Sequence, residues 1–276
     1  MSIDNAEATS QAVYNLYPKC DGMQATAAPL TDETDDSQSR TVKALLAIRE
    51  LILEGVLAPG RRISELSVAE RTGISRTPIR AALQRLEEEG LVETIPSGGF
   101  AVKSFSQQDV FDAIEIRGTL EGLAARLAAE RGSAARLGPL QACLQELDVV
   151  VEAAIGSEDA FSGYVTANAR LHALIVDLAE SPTLKRQIDR AVSLPFASPS
   201  GFVMAQAIMP ESHRILLVAQ DQHRCVVEAI ANREGARAQA IMQEHARLAG
   251  RNLRLALGNK DALERVLGGA LIRTVK

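Results

Sequence analysis

A chain of 276 residues, 46% of them hydrophobic, is long enough for two domains with substantial cores. Its formal net charge of −5 excludes a uniformly basic protein that coats nucleic acid, so any DNA-facing surface must be a local patch. The three cysteines (Cys20, Cys143, Cys225) show no CxxC spacing, which argues against a disulfide framework and a thiolate zinc site and fits a reducing cytosol; no apolar run of about 18 residues reads as a membrane span, and no signal peptide is expected.

Residues 1 to about 38 read as a disordered extension, since Thr31 to Ser39 (TDETDDSQS) is acidic and polar and nothing before it keeps a period. From Arg40 the pattern changes, with Leu45, Ile48 and Ile52 at helical spacing and Gly55 and Pro59-Gly60 as stops. Ser64 is placed to cap a second helix, Glu65 to Arg71, with Leu66 and Ala69 facing inward. Gly73 supplies the turn, and Ser75 is placed to cap a third helix with Pro78 in its first turn. Ile79, Ala82, Leu83 and Leu86 form an apolar stripe at i, i+3, i+4 and i+7, while Arg76, Arg80 and Gln84 share another face. A hairpin follows: Leu91 to Ile95, the turn Pro96-Ser97-Gly98-Gly99, and the return Phe100 to Lys103. Three helices and a hairpin are the order of a winged helix-turn-helix.

From Ser106 onward helical segments are predicted at about 107–131, 134–155, 158–180, 183–194, 203–219, 221–232 and 235–258, with no strands. The expected fold is therefore mainly α: a disordered extension over 1–38, a winged helix-turn-helix DNA-binding domain over 39–105, an all-α antiparallel helical bundle over 106–258, and a tail or short helix over 259–276.

The third helix carries DNA chemistry. Arg76 and Arg80 suit bidentate contacts to guanine in the major groove, and Ser75, Thr77 and the helix N-terminal N–H groups suit phosphate oxygens. Over residues 40–105, ten Lys or Arg against eight Asp or Glu leave a local charge of +2 in an acidic chain.

The stretch Glu54 to Val102 (EGVLAPGRRISELSVAERTGISRTPIRAALQRLEEEGLVETIPSGGFAV) closely resembles the N-terminal domain of GntR-type transcription regulators. It carries the G-x-L-x-P-G turn, the S-R-T-P-hydrophobic-R string, the E-G-L-V strand entry and the wing glycine of that family. The resemblance implies operator contacts by Ser75, Arg76, Thr77 and Arg80, with Gly99 at the wing tip and Glu65 organising the domain rather than meeting anionic DNA.

Four histidines occur, His172, His213, His223 and His245. Asn168 and His172 share a helical face, while His223 and His245 fall on two later helices. By spacing alone they read as ordinary packed or polar residues sooner than as donors to a divalent transition metal, though such a set could hold one. Asn168 to Leu184 (NARLHALIVDLAESPTL) and His223 to His245 resemble the all-helical FCD effector domain of the FadR subgroup. The resemblance implies metal ligation by Asn168, His172, His223 and His245, with open positions that meet a carboxylate effector, and leaves His213 as structural or solvent-facing. Leu171 stands where the pattern has Phe, and Asn168 where Asp is common, so the ligand set is less anionic; zinc, nickel and manganese all stay open. Arg117, within an E-x-R-x-x-L-E pattern (Glu115, Arg117, Leu120, Glu121), is read either as a partner for an effector carboxylate or as half of an internal salt bridge.

The expected function is a cytoplasmic, ligand-responsive DNA-binding regulator: a homodimeric repressor that binds a palindrome and is released by a small organic acid. Two other readings stand beside it. In one, the metal ion itself is the signal. In the other, the helical domain is a metal-dependent enzyme, against which no HExxH and no nucleophile with a base partner is found, so no catalytic residue is assigned.

Overall fold

A computed structural model describes residues 32–153, 158–206 and 212–273. The expected extension lies outside the described residues as far as residue 31, but its end does not: the first helix, α1 (Asp32–Leu53), already begins at Asp32. The sequence carries acids at Asp32, Glu33, Asp35 and Asp36, the charge a helix N-terminus favours, so a run that composition reads as tail suits a helix start. The chain divides into two compact units, one running to Phe105 and including Ala270–Arg273, the other spanning Ser106–Gly269.

The first unit packs α1, α2 (Glu65–Thr72) and α3 (Arg76–Glu88) ahead of an antiparallel pair, β1 (Val92–Thr94) and β2 (Phe100–Val102), in register Val92↔Val102 and Thr94↔Phe100. Ser64 caps α2 by accepting from the Ser67 N–H at 3.2 Å. Gly73 ends it at φ +70°, where only a residue without Cβ sits unstrained. The expected α3 stripe, Ile79, Ala82, Leu83 and Leu86, is fully buried, and α3 packs on α1, where Ala44, Ile48 and Ile52 are fully buried too. Leu66 does not face inward: it is 58% exposed, and Val68 takes the core position of α2. A helix of 8 residues spans about two turns, too few for period alone to choose its buried face. The hairpin also gains a neighbour that sequence reading missed. The Ile63 N–H donates to Phe100 O at 2.8 Å and the Val102 N–H donates to Arg61 O at 3.1 Å, so Arg61–Ile63 runs beside β2. Buried Arg49 on α1 pairs with Glu89, and Glu87 accepts the Thr94 N–H at 3.1 Å, so two of the acids that end α3 serve the fold.

The second unit contains α4 (Gln107–Arg131), α5 (Leu137–Ala153), α6 (Glu158–Leu178), α7 (Pro182–Ala191), a single turn α8 (Val203–Gln206), α9 (Ser212–Ala231), α10 (Gly235–Leu257) and the short α11 (Lys260–Glu264). Sequence reading broke the chain at residue 220; α9 runs through it, because Gln220 points inward and finds partners for its amide. The central helix is α4, which starts from a reciprocal cap between Ser106 and Asp109 and packs against α6, α7, α9 and α10. Its approach to α10 is close. A Cβ at Gly118 would stand 2.6 Å from the Ala246 Cβ, and one at Gly122 would stand 2.7 Å from the Gln243 Cγ. Gly118→Ala is therefore expected to destabilise the protein by about 1–3 kcal/mol through overpacking, although Ala is the better helix former. A drop in thermal midpoint measures this, and an unchanged or higher midpoint refutes the tight crossing.

Beyond α11 the chain returns to the first unit. The Phe105 N–H donates to Leu271 O at 2.8 Å and the Arg273 N–H donates to Phe105 O at 2.7 Å, a parallel bridge of Phe105 with Ile272. Leu271 and Ile272 are buried there. The region expected to be a tail or short helix thus holds a short helix, a 3-10 turn (Gly269–Leu271) and a single bridge to Phe105 of the first unit.

Candidate functional site

The first unit presents Ser75, Arg76, Thr77, Arg80 and Gln84 as exposed side chains on the free face of α3. Ser75 occupies the N-cap position, but its hydroxyl makes no capping bond, which leaves it available to a phosphate oxygen. Arg76, 68% exposed, lies 3.5 Å from Glu65 Oε2, so the acid at the head of α2 steadies the arginine at the head of α3. An exposed pair of this kind adds little stability; its use is to orient the guanidinium. Gly99 has φ +88°, and a Cβ there would lie 3.5 Å from the Arg62 guanidinium. Arg62 is an exposed cation beside the wing that sequence reading did not single out; its only signal was the Arg61-Arg62 pair after Pro59-Gly60.

In the second unit three histidines converge from three helices: His172 from α6, His223 from α9 and His245 from α10. All three are buried, and one nitrogen from each lies within 4.8 Å of the others. Ring centroids are 4.3 Å apart for His223 and His245 and 5.3 Å for His172 and His245. The surroundings fix two of the rings. Glu121 on α4 accepts from His172 Nδ1 at 2.9 Å, which leaves His172 Nε2 buried with no hydrogen-bond partner. On the other side Asp148 accepts from Gln220 Nε2 at 2.7 Å, and Arg224 holds Asp148 at 2.8 Å. Because a carboxylate only accepts, the Gln220 amide oxygen must face His223, and it takes the Nδ1 proton at 3.1 Å. The lone pair of His223 then sits on Nε2, 3.1 Å from His245 Nε2, which donates to it while its own Nδ1 has no partner. Carboxylate or amide behind, with the other nitrogen turned into the cluster, is how metal-binding imidazoles are oriented. Burial, reinforced by His172, holds His223 well below the usual imidazole range; burial, then His223, His172 and Arg117, does the same for His245. These two rings are neutral, the form that donates to a metal.

Asn168 lies one turn before His172 on α6 and is buried. Its Nδ2 donates to Ser200 Oγ at 3.0 Å and the Ser200 hydroxyl donates to Val165 O at 3.3 Å, so Asn168 Oδ1 faces the other way, without a partner. Arg117 is also buried. Its Nε stands 3.4 Å from Glu121 Oε2 and its Nη2 donates to Ala246 O at 3.4 Å, while Nη1 has no hydrogen-bond partner. Burial pulls the guanidinium below its ordinary range, only partly offset by Glu121. Burial pushes the Glu121 carboxyl up, but His172 and Arg117 outweigh it and hold the group below its usual value, as a carboxylate. Arg117 thus has the internal ion pair of one reading, and it also lines a cavity with Asn168, His245, Tyr164 and Asn252. The free space is about 30 Å³, enough for one or two water molecules. Donor atoms with no partner, neutral rings and an amide oxygen fit a divalent transition metal. The side chain of His213 lies outside the described residues.

A winged-helix reader followed by an all-helical unit is the build of a DNA-binding transcription regulator. The chain belongs to the GntR family: residues 40–102 match the model of bacterial regulatory proteins of the gntR family, and residues 112–248 match the FCD domain. It is 30% identical over 172 residues to the uncharacterized HTH-type transcriptional regulator YdhC of Bacillus subtilis, covering 61% of this chain and 75% of that protein. It is 30% identical over 208 residues to the probable D-xylose utilization operon transcriptional repressor of Paenarthrobacter nicotinovorans, covering 75% and 84%. Among solved structures, E. coli McbR/YncC superposes with a TM-score of 0.56 at 21% identity over 78% of this chain and 97% of that one, a likeness of fold. Among the described residues no helix is long and apolar enough to cross a membrane.

Proposed function

We propose that this regulator is a cytoplasmic homodimeric repressor that leaves its operator when a small carboxylate effector binds at a metal-containing site in the helical domain. Ser75, Arg76, Thr77 and Arg80 read the operator, with Gly99 letting the wing tip approach the backbone. Two-fold symmetry of the dimer matches a palindromic site. His172, His223, His245 and Asn168 hold a divalent transition metal (zinc, nickel or manganese), which supplies a positive centre for a carboxylate oxygen. Arg117 supplies the second charge. The observation that carries this reading is the cluster of three buried histidines, with nitrogens within 4.8 Å, beside a buried arginine that keeps an unused N–H. Release then requires the effector to bind the operator-free arrangement more tightly than the operator-bound one.

The test is operator retardation of the metal-loaded protein, on a fragment it selects from random DNA, against a panel of short carboxylates. At least one acid should weaken retardation, and treatment with chelator should abolish that response. An undiminished response after metal removal refutes the metal's role. One observation favours the second reading, a sensor of the ion itself: about 30 Å³ of free space admits an organic acid only if the wall side chains move. In that case chelator and metal alone would shift operator affinity with no acid present.

A further inference from the structure

The wing has no charge at its own tip. The hairpin turns at Pro96-Ser97-Gly98-Gly99, and its lysine, Lys103, lies at the other end, over the Phe105 ring at 5.3 Å. We infer that Arg62, on the segment beside β2, supplies the missing cation and holds a DNA phosphate at the wing tip. The inference rests on the operator-binding reading above and adds a contact outside α3.

Strand geometry places the side chain. Arg61–Ile63 runs beside β2, with Arg62 bridged to Ala101. Side chains alternate along an extended segment, so Arg62 points away from the core that Ile63, 4% exposed, enters. Glu93 of β1 is paired with Ala101 from the other side. Arg62, Ala101 and Glu93 thus form one row across a face of the sheet, with acid and base about 10 Å apart at the backbone. Among the described residues the two form no ion pair, and Arg62 has no other hydrogen-bond or ion-pair partner. Its guanidinium turns instead toward the hairpin tip. A Cβ at Gly99 would stand 3.5 Å from Arg62 Nη2 and 3.7 Å from its Nε. Next to it, Gly98 (φ +80°) has open space where its Cβ would be.

An exposed arginine with nothing around it is a solvated side chain. Arg62 differs in two respects. Other arginines of the same unit are answered by acids, Arg49 by Glu89 and Arg76 by Glu65, whereas Arg62 leaves the acid in its own row and keeps its charge. Its position is also set: the backbone bridge fixes its base and the wing glycine receives its head. Pro96, Ser97 and two glycines leave nothing bulky to hold a broad surface off the tip. An unanswered cation on a slim edge of a DNA-binding unit fits a polyanion. The tip adds one hydroxyl and no amide or acid, so it has little with which to tell bases apart. Arg62 is therefore a phosphate contact, which fixes where the wing lies on the duplex and contributes affinity without sequence preference.

The experiment is fluorescence anisotropy on the full-length, metal-loaded protein over a range of salt. The probes are the operator fragment selected from random DNA and a scrambled fragment of equal length. Arg62→Ala should weaken both by a similar factor, about tenfold or more near 0.1 M salt, and make the slope of log affinity against log salt shallower by about 0.9 per protomer. Arg62→Lys, which keeps the charge, should recover most of that slope, because a phosphate accepts a point charge. Arg126→Ala removes the same charge from the helical unit and should leave the slope unchanged. An Arg62→Ala slope equal to that of wild type, or a loss no greater than that of Arg126→Ala, overturns the inference. A loss confined to the operator fragment makes Arg62 a base reader and overturns the phosphate assignment. The α3 reading fails separately, if Arg76→Ala keeps the wild-type preference for operator over scrambled DNA; the Arg62 slopes stand in that case. Both Arg62 variants alter an exposed side chain, and unchanged circular dichroism and thermal midpoint confirm that each reports on binding.

Discussion

Arg76→Ala should abolish specific operator retardation while circular dichroism stays that of the wild type. The side chain is 68% exposed and pairs with Glu65 across the helix-turn-helix at 3.5 Å, so the core loses nothing when it is removed. A bidentate arginine–guanine contact is worth about 1–3 kcal/mol of discrimination. In the proposed two-fold dimer the contact is made once per half-site, so the loss is about 2–6 kcal/mol, roughly thirtyfold or more in affinity. Non-specific binding, carried by the phosphate backbone, should weaken far less. Arg76→Lys keeps the charge but not the fork and should lose most of the specificity as well. Wild-type operator affinity in Arg76→Ala would mean that α3 does not read bases through this residue.

Protein purified without a histidine tag should contain close to one equivalent of divalent metal per chain, and the double variant His172→Ala/His223→Ala should contain almost none. The two rings come from α6 and α9, and each is aimed by a separate partner, Glu121 for one and Gln220 for the other. Loss of both leaves His245 and Asn168, too few donors for a tight site. Gln220→Leu should act more mildly. It frees the His223 ring to turn and lowers metal affinity by about 10–100-fold, the usual effect of removing a partner behind a ligand. Equal metal content in wild type and the double variant, read by elemental analysis, would sink the site. Metal should also raise the thermal midpoint of wild type and not that of the double variant, because an ion bound only to the folded chain stabilises it by mass action.

The DNA-binding stretch was legible because its signals are local. The Ser64 cap, the Gly73 turn and the stripe from Ile79 to Leu86 each occupy a few consecutive residues and agree with one another. Leu66 was misread for the same locality: a two-turn helix contains no information about which side its neighbours cover. Arg61–Ile63 went unseen as a strand because three residues after a Pro-Gly turn carry no period. In the helical unit, Asn168 and His172 were legible as a pair because one helix sets their spacing. Their convergence with His223 and His245 depends on how α6, α9 and α10 pack, which spacing cannot express; only the family resemblance linked them. Gln220 and Asp148 were beyond sequence reading altogether, and Glu121, though visible in the E-x-R-x-x-L-E pattern, carried no sign of its bond to His172. Each looks like a polar residue on a helix surface, and only packing shows that Glu121 and Gln220 are buried against imidazoles and that Asp148 anchors one of them.

The return of Ala270–Arg273 to Phe105 gives the DNA-binding unit a birth order. The unit is discontinuous: its first piece leaves the ribosome early, and the piece that bridges Phe105 follows only after the whole stretch Ser106–Gly269 has been made. At about 5–20 residues per second that interval is roughly ten to thirty seconds. Throughout it the nascent reader lacks the two backbone hydrogen bonds at Phe105 and the buried side chains of Leu271 and Ile272. A chain released early, with an incomplete helical unit, is thus one whose DNA-binding unit also lacks this bridge. Order of synthesis is thereby written into the fold: the DNA-binding unit completes its packing only after the helical unit has been made.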